Sequence, residues 1–112
     1  RITNVACSTN DLASVSVVNE ADQTITGFIL RVTEVNQTTL AENILVDQNP
    51  SISTTDVDPF GSATVTPTTG FTQSITDNVK QVELIAQVDI DGIQETCPAV
   101  IETFRKTPTV CP

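Results

Sequence analysis

Three cysteines, Cys7, Cys97 and Cys111, are the residues of this chain whose type most directly suggests chemistry. Small extracellular domains usually pair their thiols, so an odd count leaves one thiol without a partner in the chain. We expect Cys7 to bridge to Cys97 or Cys111 of an adjacent subunit, because terminal segments can reach outward. The alternative is one internal bridge and one inert, buried cysteine.

Two carboxylate pairs, Asp56 with Asp58 and Asp89 with Asp91, could offer hard oxygen ligands to calcium. Neither pair continues into an EF-hand loop, so we interpret both as solvated strand ends and turns. Carboxylates two apart on one strand also rarely straddle a glycosidic bond. The chain has no His for general base chemistry and no CxxC spacing for zinc. We therefore predict no catalytic residue, no metal site, no cofactor and no enzyme activity.

Asn36-Gln37-Thr38 is the one N-x-[ST] sequence with an allowed middle residue, since Asn49-Pro50-Ser51 is excluded by its proline. Asn36 is therefore a candidate glycosylation site. With or without a glycan, the motif predicts a surface loop.

The composition limits the classes of partner. The net charge of −9, with five cations, repels nucleic acid and anionic lipid surfaces. No apolar run approaches the roughly 20 residues of a membrane span. The chain lacks Met and begins Arg1-Ile2-Thr3, which we interpret as a mature end left after removal of a signal peptide. We expect a secreted protein, extracellular or at a cell or spore surface.

Period-two alternation of apolar and polar residues predicts strands along most of the chain, which contains 14 Val, 10 Ile and 19 Thr. The first two strands, over 13–19 and 24–35, are expected to be neighbours. Leu40, Ile44 and Val46 fall at even positions of a third strand. Further strands are predicted at 62–66 and 71–76, with one turn of helix as the alternative over 72–79.

The clearest unit is a hairpin with Asp91-Gly92 as its type I′ turn. Pairing Ile90 with Ile93 would set Val82 opposite Ile101 and keep both apolar sets on one face. Pro98 cannot donate to a ladder, so the returning strand is predicted to be an edge or to carry a bulge near Cys97.

About eight short strands predict an all-β protein with a single β-sandwich domain over 1–112, either jelly-roll or immunoglobulin-like. Residues 1–10 are expected to form a terminal arm and residues 105–112 a C-terminal tail. No internal domain boundary is predicted for a chain of 112 residues.

The chain resembles the jelly-roll subunits of bacterial endospore appendages in length, in Cys7 within its N-terminal arm, and in the Pro-Phe-Gly-Ser turn inside 57–65. It differs by having one cysteine in that arm where the family tends to have two. The resemblance implies a structural subunit of an extracellular filament or pilus-like appendage, a head-to-tail homopolymer held by edge-strand docking and intersubunit disulfides. The alternative is an immunoglobulin-like adhesion or surface-layer binding module, and a weaker third option is an inhibitor of a secreted enzyme.

Overall fold

The structure is a computed structural model that describes residues 1–8, 11–36, 38–68 and 77–105, without the side chains of 8, 11, 77, 97–102 and 105. The described part of the chain contains eight strands and no helix that could cross a membrane. The strands are β1 Ile2–Ser8, β2 Asp11–Val18, β3 Gly27–Asn36, β4 Glu42–Asp47, β5 Ser51–Ile52, β6 Ser62–Thr66, β7 Asp77–Ile90 and β8 Ile93–Arg105.

The strands form two four-stranded sheets, one in the order β1-β2-β6-β5 and the other in the order β4-β3-β7-β8. Every pair within the sheets is antiparallel. The prediction of an all-β sandwich of about eight strands is confirmed. If β1 to β8 are named A, B, C, C′, D, E, F and G, the sheets have the orders A-B-E-D and C′-C-F-G. This is the arrangement of an immunoglobulin-type sandwich. Strand order therefore favours the immunoglobulin-like alternative over the jelly roll.

The core lies between the sheets and is built from the alternating residues that the sequence indicates. In the neighbouring strands β3 and β7, two adjacent rows of apolar side chains are buried on one face of the sheet, and β2 and β6 supply the opposite wall. The fully or nearly fully buried members include Val15, Phe28, Leu30, Val32, Val65, Val82, Leu84 and Ala86. These stiff β-branched and large apolar residues stabilise a pleated, half-buried surface.

The expectation that the first two predicted strands are neighbours is wrong. β2 pairs with β1 and β6, whereas β3 pairs with β4 and β7 in the other sheet. The chain crosses between the sheets after β2, and the connection is hydrogen-bonded on both sides. Ile25 forms a bridge with Val57, and Thr26 N donates to Gln87 O at 2.8 Å.

The β7–β8 hairpin confirms part of the predicted register. Ile90 pairs with Ile93, and the two turn residues have the positive φ values, 53° and 82°, that a type I′ turn requires. The register then shifts where β8 advances from Thr96 to Ile101. Val82 therefore faces Phe104, and the predicted pairing with Ile101 is wrong. Pro98 lies within the shifted stretch of this edge strand, as its missing N–H predicts.

The two predicted terminal segments are described only in part. Residues 2–8 of the expected arm are strand β1, bonded to β2, and Arg105 ends β8. Residues 106–112, the expected strand at 71–76 and most of the alternative helical turn lie outside the described residues.

Candidate functional site

Strand β4 is an open sheet edge with two apolar side chains in solvent. It pairs residue for residue with β3 along its whole length and has no other partner among the described strands. Ile44 and Val46 are 58% and 49% exposed, on the face that points away from the core. In β3, Thr33 pairs with Ile44 and Arg31 pairs with Val46. The edge therefore offers backbone groups with which no other described strand pairs, beside an apolar surface.

The acidic residues that begin and end β4 both have partners within the chain. The Lys80 ammonium forms an ion pair with Glu42. Asp47 is buried, and its carboxylate accepts from the backbone N–H of Asn49 at 3.1 Å and of Thr68 at 2.9 Å. These charges lie at the strand ends, so the middle of the edge has no charged residue of its own.

The other three edge strands are irregular or short. β1 has two register shifts against β2, and β8 has one against β7. β5 has two residues. Bulges and short length are common means of protecting an edge from pairing with another chain. β4 has neither.

The turn before β4 is built on Asn36, the candidate glycosylation site. The Asn36 side-chain oxygen accepts from the N–H groups of Thr38 and Thr39, each at 2.9 Å, and its backbone oxygen accepts from Leu40 N–H at 2.9 Å. Leu40 has a φ of 61° and is 72% exposed. Asn36 ends β3, Thr38 and Leu40 are exposed, and glycosylation of Asn36 stays a prediction.

Cys7 lies in β1 and is disulfide-bonded within the single chain. The sequence predicted a bridge from this residue to an adjacent subunit, and that pairing stays a prediction. Cys111 and the side chain of Cys97 lie outside the described residues. Exchange of β1 between two copies would turn an internal Cys7 bond into an intersubunit one without changing its local geometry.

Both carboxylate pairs considered for calcium are exposed. Asp56 and Asp58 flank the buried Val57, and Asp89 and Asp91 lie at the tip of the β7–β8 hairpin. Among the described residues, no group of three or more His, Cys, Asp or Glu side chains is placed to hold a metal ion.

A buried asparagine, Asn19, organises the end of the sandwich where the β2–β3 and β5–β6 connections meet. Its side-chain amide donates to Gln23 O at 2.7 Å and to Val57 O at 3.1 Å, and its side-chain oxygen accepts from Ala21 N–H at 3.0 Å. Its backbone N–H and C=O groups form two hydrogen bonds with Gly61 and Phe60 of the turn Asp58-Pro59-Phe60-Gly61. Asn19 thus satisfies backbone groups of two connections at once.

This turn, Asp58-Pro59-Phe60-Gly61, exposes an aromatic ring. Gly61 N–H donates to Asp58 O at 2.8 Å, and Phe60 has a φ of 63°. A proline at the second position and a positive φ at the third position define a type II turn, in which the third residue is usually Gly or Asn. Phe60 is 74% exposed.

A cavity opens between the sheets at this same end. Its empty volume is about 450 Å³, which includes open solvent. Apolar side chains form most of the wall, including Val17, Ile25, Phe28 and Leu84, and Arg1 with Glu20 lies at the mouth. The exposed Arg1–Glu20 pair, at 3.0 Å, contributes little to stability.

The roles of Asn19 and Asp47, which are 2% and 5% exposed, were not predicted from the sequence. Both residue types are common in turns, and nothing in the sequence indicated that these two would be buried. Their partners come from distant segments, so no local pattern could identify them. Comparison of the chain with family models, with curated proteins and with solved structures finds no match.

Proposed function

We propose that this chain is a structural subunit of a self-assembling extracellular filament or surface appendage, in which sheet edges of neighbouring copies dock. The observation that carries the proposal is the regular, open β4 edge with Ile44 and Val46 in solvent. Strand addition at an edge supplies backbone hydrogen bonds, and flanking side chains supply specificity. An edge of this kind favours pairing with another chain unless it is covered.

The second sheet has a further edge, β8, on the side opposite β4, and β8 is long enough to leave regularly paired stretches on both sides of its one register shift, where a second contact can form. A head-to-tail contact between unlike edges makes an open polymer when its rotation does not close. The odd cysteine count leaves one thiol per chain, which can bond to a second subunit, and a covalent link through every subunit also needs the Cys7 bond to form between copies.

Electron microscopy of the purified protein tests the proposal. We expect filaments, and we expect the double variant Ile44→Lys/Val46→Lys to abolish them, because two charges at the edge oppose strand addition. The matched control is Ile90→Lys/Ile93→Lys, which places the same charges on two exposed isoleucines of the hairpin tip. Filaments that survive the β4 variant, or a wild-type protein that stays monomeric, would refute assembly through β4.

Denaturing gels test the covalent part. Without reductant, filaments locked by disulfides should give a ladder that collapses to a 12.0 kDa band on reduction. Cys7→Ser should remove the ladder if Cys7 is exchanged between subunits. A single 12.0 kDa band without reductant would show that subunits are held by non-covalent contacts only.

An immunoglobulin-like adhesion module is the second candidate, and the loop end favours it. The β2–β3, β5–β6 and β7–β8 connections lie at one end, and β2–β3 and β7–β8 correspond to two of the binding loops of variable domains. This end carries the cavity and the exposed Phe60, Ile90 and Ile93. Monodisperse particles in the microscope would favour this candidate over the filament.

A further inference from the structure

From the composition of β4 we infer a specific contact, in which β4 pairs antiparallel with β4 of a second copy, with Leu45 opposite Leu45 across a two-fold axis. The inference rests on the proposed self-assembly and deepens it by naming one interface. It starts from the same open edge, and the order of residues along that edge sets the partner and the register.

Backbone geometry limits the registers that are available. In an antiparallel pair, residues directly opposite either exchange both hydrogen bonds or exchange none, and the two kinds alternate along the strand. The backbone groups that β4 turns away from β3 therefore belong to every second residue. Ile44 and Val46 are of one kind, so an even-numbered residue of one copy can face only an even-numbered residue of the other.

Three registers keep most of β4 paired, centred on Ile44, on Leu45 or on Val46. A centre at Ile44 places Glu42 opposite Val46 of the second copy. A centre at Val46 places Leu45 opposite Asp47. Each of these two registers sets a carboxylate against an apolar side chain twice.

The register centred on Leu45 has no such conflict. Ile44 of each copy faces Val46 of the other, which forms two apolar pairs on the exposed face. Asn43 faces Asp47, an amide opposite a carboxylate, and Glu42 faces Gln48. No like charges are opposed, and Glu42 is already compensated by Lys80 of its own chain. The edge is thus complementary to a second copy of itself.

A two-fold contact consumes the β4 edge of both copies and closes on itself. Two sheets of four strands then become one continuous sheet of eight, with Ile44 and Val46 in the seam. Longer assemblies need a second contact, at β1 or β8. Filament growth would then alternate two kinds of contact, in place of a simple head-to-tail repeat.

Complementary charge variants test the register directly. Ile44→Lys and Val46→Glu each disrupt two apolar pairs, so each protein alone should dimerise at least tenfold more weakly than wild type. Mixed in equal amounts, they should recover the dimer, because the new lysine faces the new glutamate while the remaining Val and Ile still pair. Both variants should fold, because Ile44 and Val46 are exposed and lie beside the polar residues Thr33 and Arg31 of β3.

The matched control is an equal mixture of Ile44→Lys with Val46→Lys, which places two lysines opposite each other and should stay monomeric. Sedimentation velocity gives the mass of each sample against twice the 12.0 kDa of the chain. The expected order of dimer affinity is wild type, then the Lys/Glu mixture, then the Lys/Lys mixture.

The outcomes separate this inference from the proposed function. Filaments without recovery in the Lys/Glu mixture would overturn the register and leave self-assembly standing. If the wild-type protein dimerises, the Lys/Glu mixture recovers the dimer and no filaments form, the register would be supported and the filament refuted. A wild-type chain that is monomeric at every concentration would overturn both.

Discussion

Strands β4 and β7 belong to the same sheet, and both carry apolar residues at successive even-numbered positions, yet these even-numbered residues lie on opposite faces of the sheet. In β7 the even-numbered residues Val82 and Leu84 are at most 1% exposed. In β4 the even-numbered residues Ile44 and Val46 are about half exposed. A period of two therefore predicts a strand in both cases, but it identifies the core-facing side only in β7.

The position of each strand in the sandwich explains the difference. β7 lies between β3 and β8, and the first sheet packs over its inner face. β4 is the edge, and the first sheet ends in the two-residue β5. The inward position of β4 is then free to hold a polar residue, and Asp47 occupies it with its bonds to Asn49 and Thr68. Ile44 and Val46, on the outer face of β4, are left for solvent or for another chain.

Truncation of one residue in each strand should give the largest contrast. Leu84→Ala removes a fully buried side chain and should lower the free energy of unfolding by about 2–5 kcal/mol. Ile44→Ala, at an exposed site, should change it by less than about 0.5 kcal/mol in the monomer. Urea denaturation at a concentration where the chain is monomeric measures both. Equal losses would mean that the outer face of β4 is covered within the chain.

A pair of asparagines extends the contrast from apolar to polar groups. Asn19→Ala removes the three side-chain hydrogen bonds to Gln23 O, Val57 O and Ala21 N–H and should cost about 1–3 kcal/mol of unfolding free energy. Asn43→Ala, on the exposed part of β4, should cost less than about 0.5 kcal/mol. Chemical denaturation compares the two variants with wild type. A loss at Asn43 equal to that at Asn19 would contradict the burial of Asn19 as the cause.

The sequence predicted those parts of the fold that depend on neighbouring residues. The strand type, the Asp91-Gly92 turn and the irregularity around Pro98 each follow from local backbone preferences. The pairing of β2 with β6, which are far apart in the chain, depends on how the sheets close and has no local signal.

The candidate site was predictable only in outline. Alternation placed Ile44 and Val46 on one face of a strand, but the exposure of that face depends on the short β5 and on the register of distant segments. The predicted hairpin register is wrong beyond Gln87, because the sequence does not show how many residues the irregularity near Pro98 adds to β8. A single residue added there moves every later side chain to the other face.

The smallest predicted effect concerns Phe60, an exposed apolar residue that lies in a turn and not on a regular edge. Its φ of 63° is costly for a large L-residue and ordinary for asparagine. Phe60→Asn should therefore raise the free energy of unfolding by about 0.5–1 kcal/mol, because the ring is 74% exposed and little packing is lost. Phe60→Ala is the control, since it removes the ring but keeps a side chain that is strained at this φ. Denaturation curves in which both variants are equally stable would show that backbone strain at Phe60 contributes nothing. A gain confined to asparagine would show that this turn, unlike β4, keeps an exposed apolar side chain at a cost to the stability of the single chain.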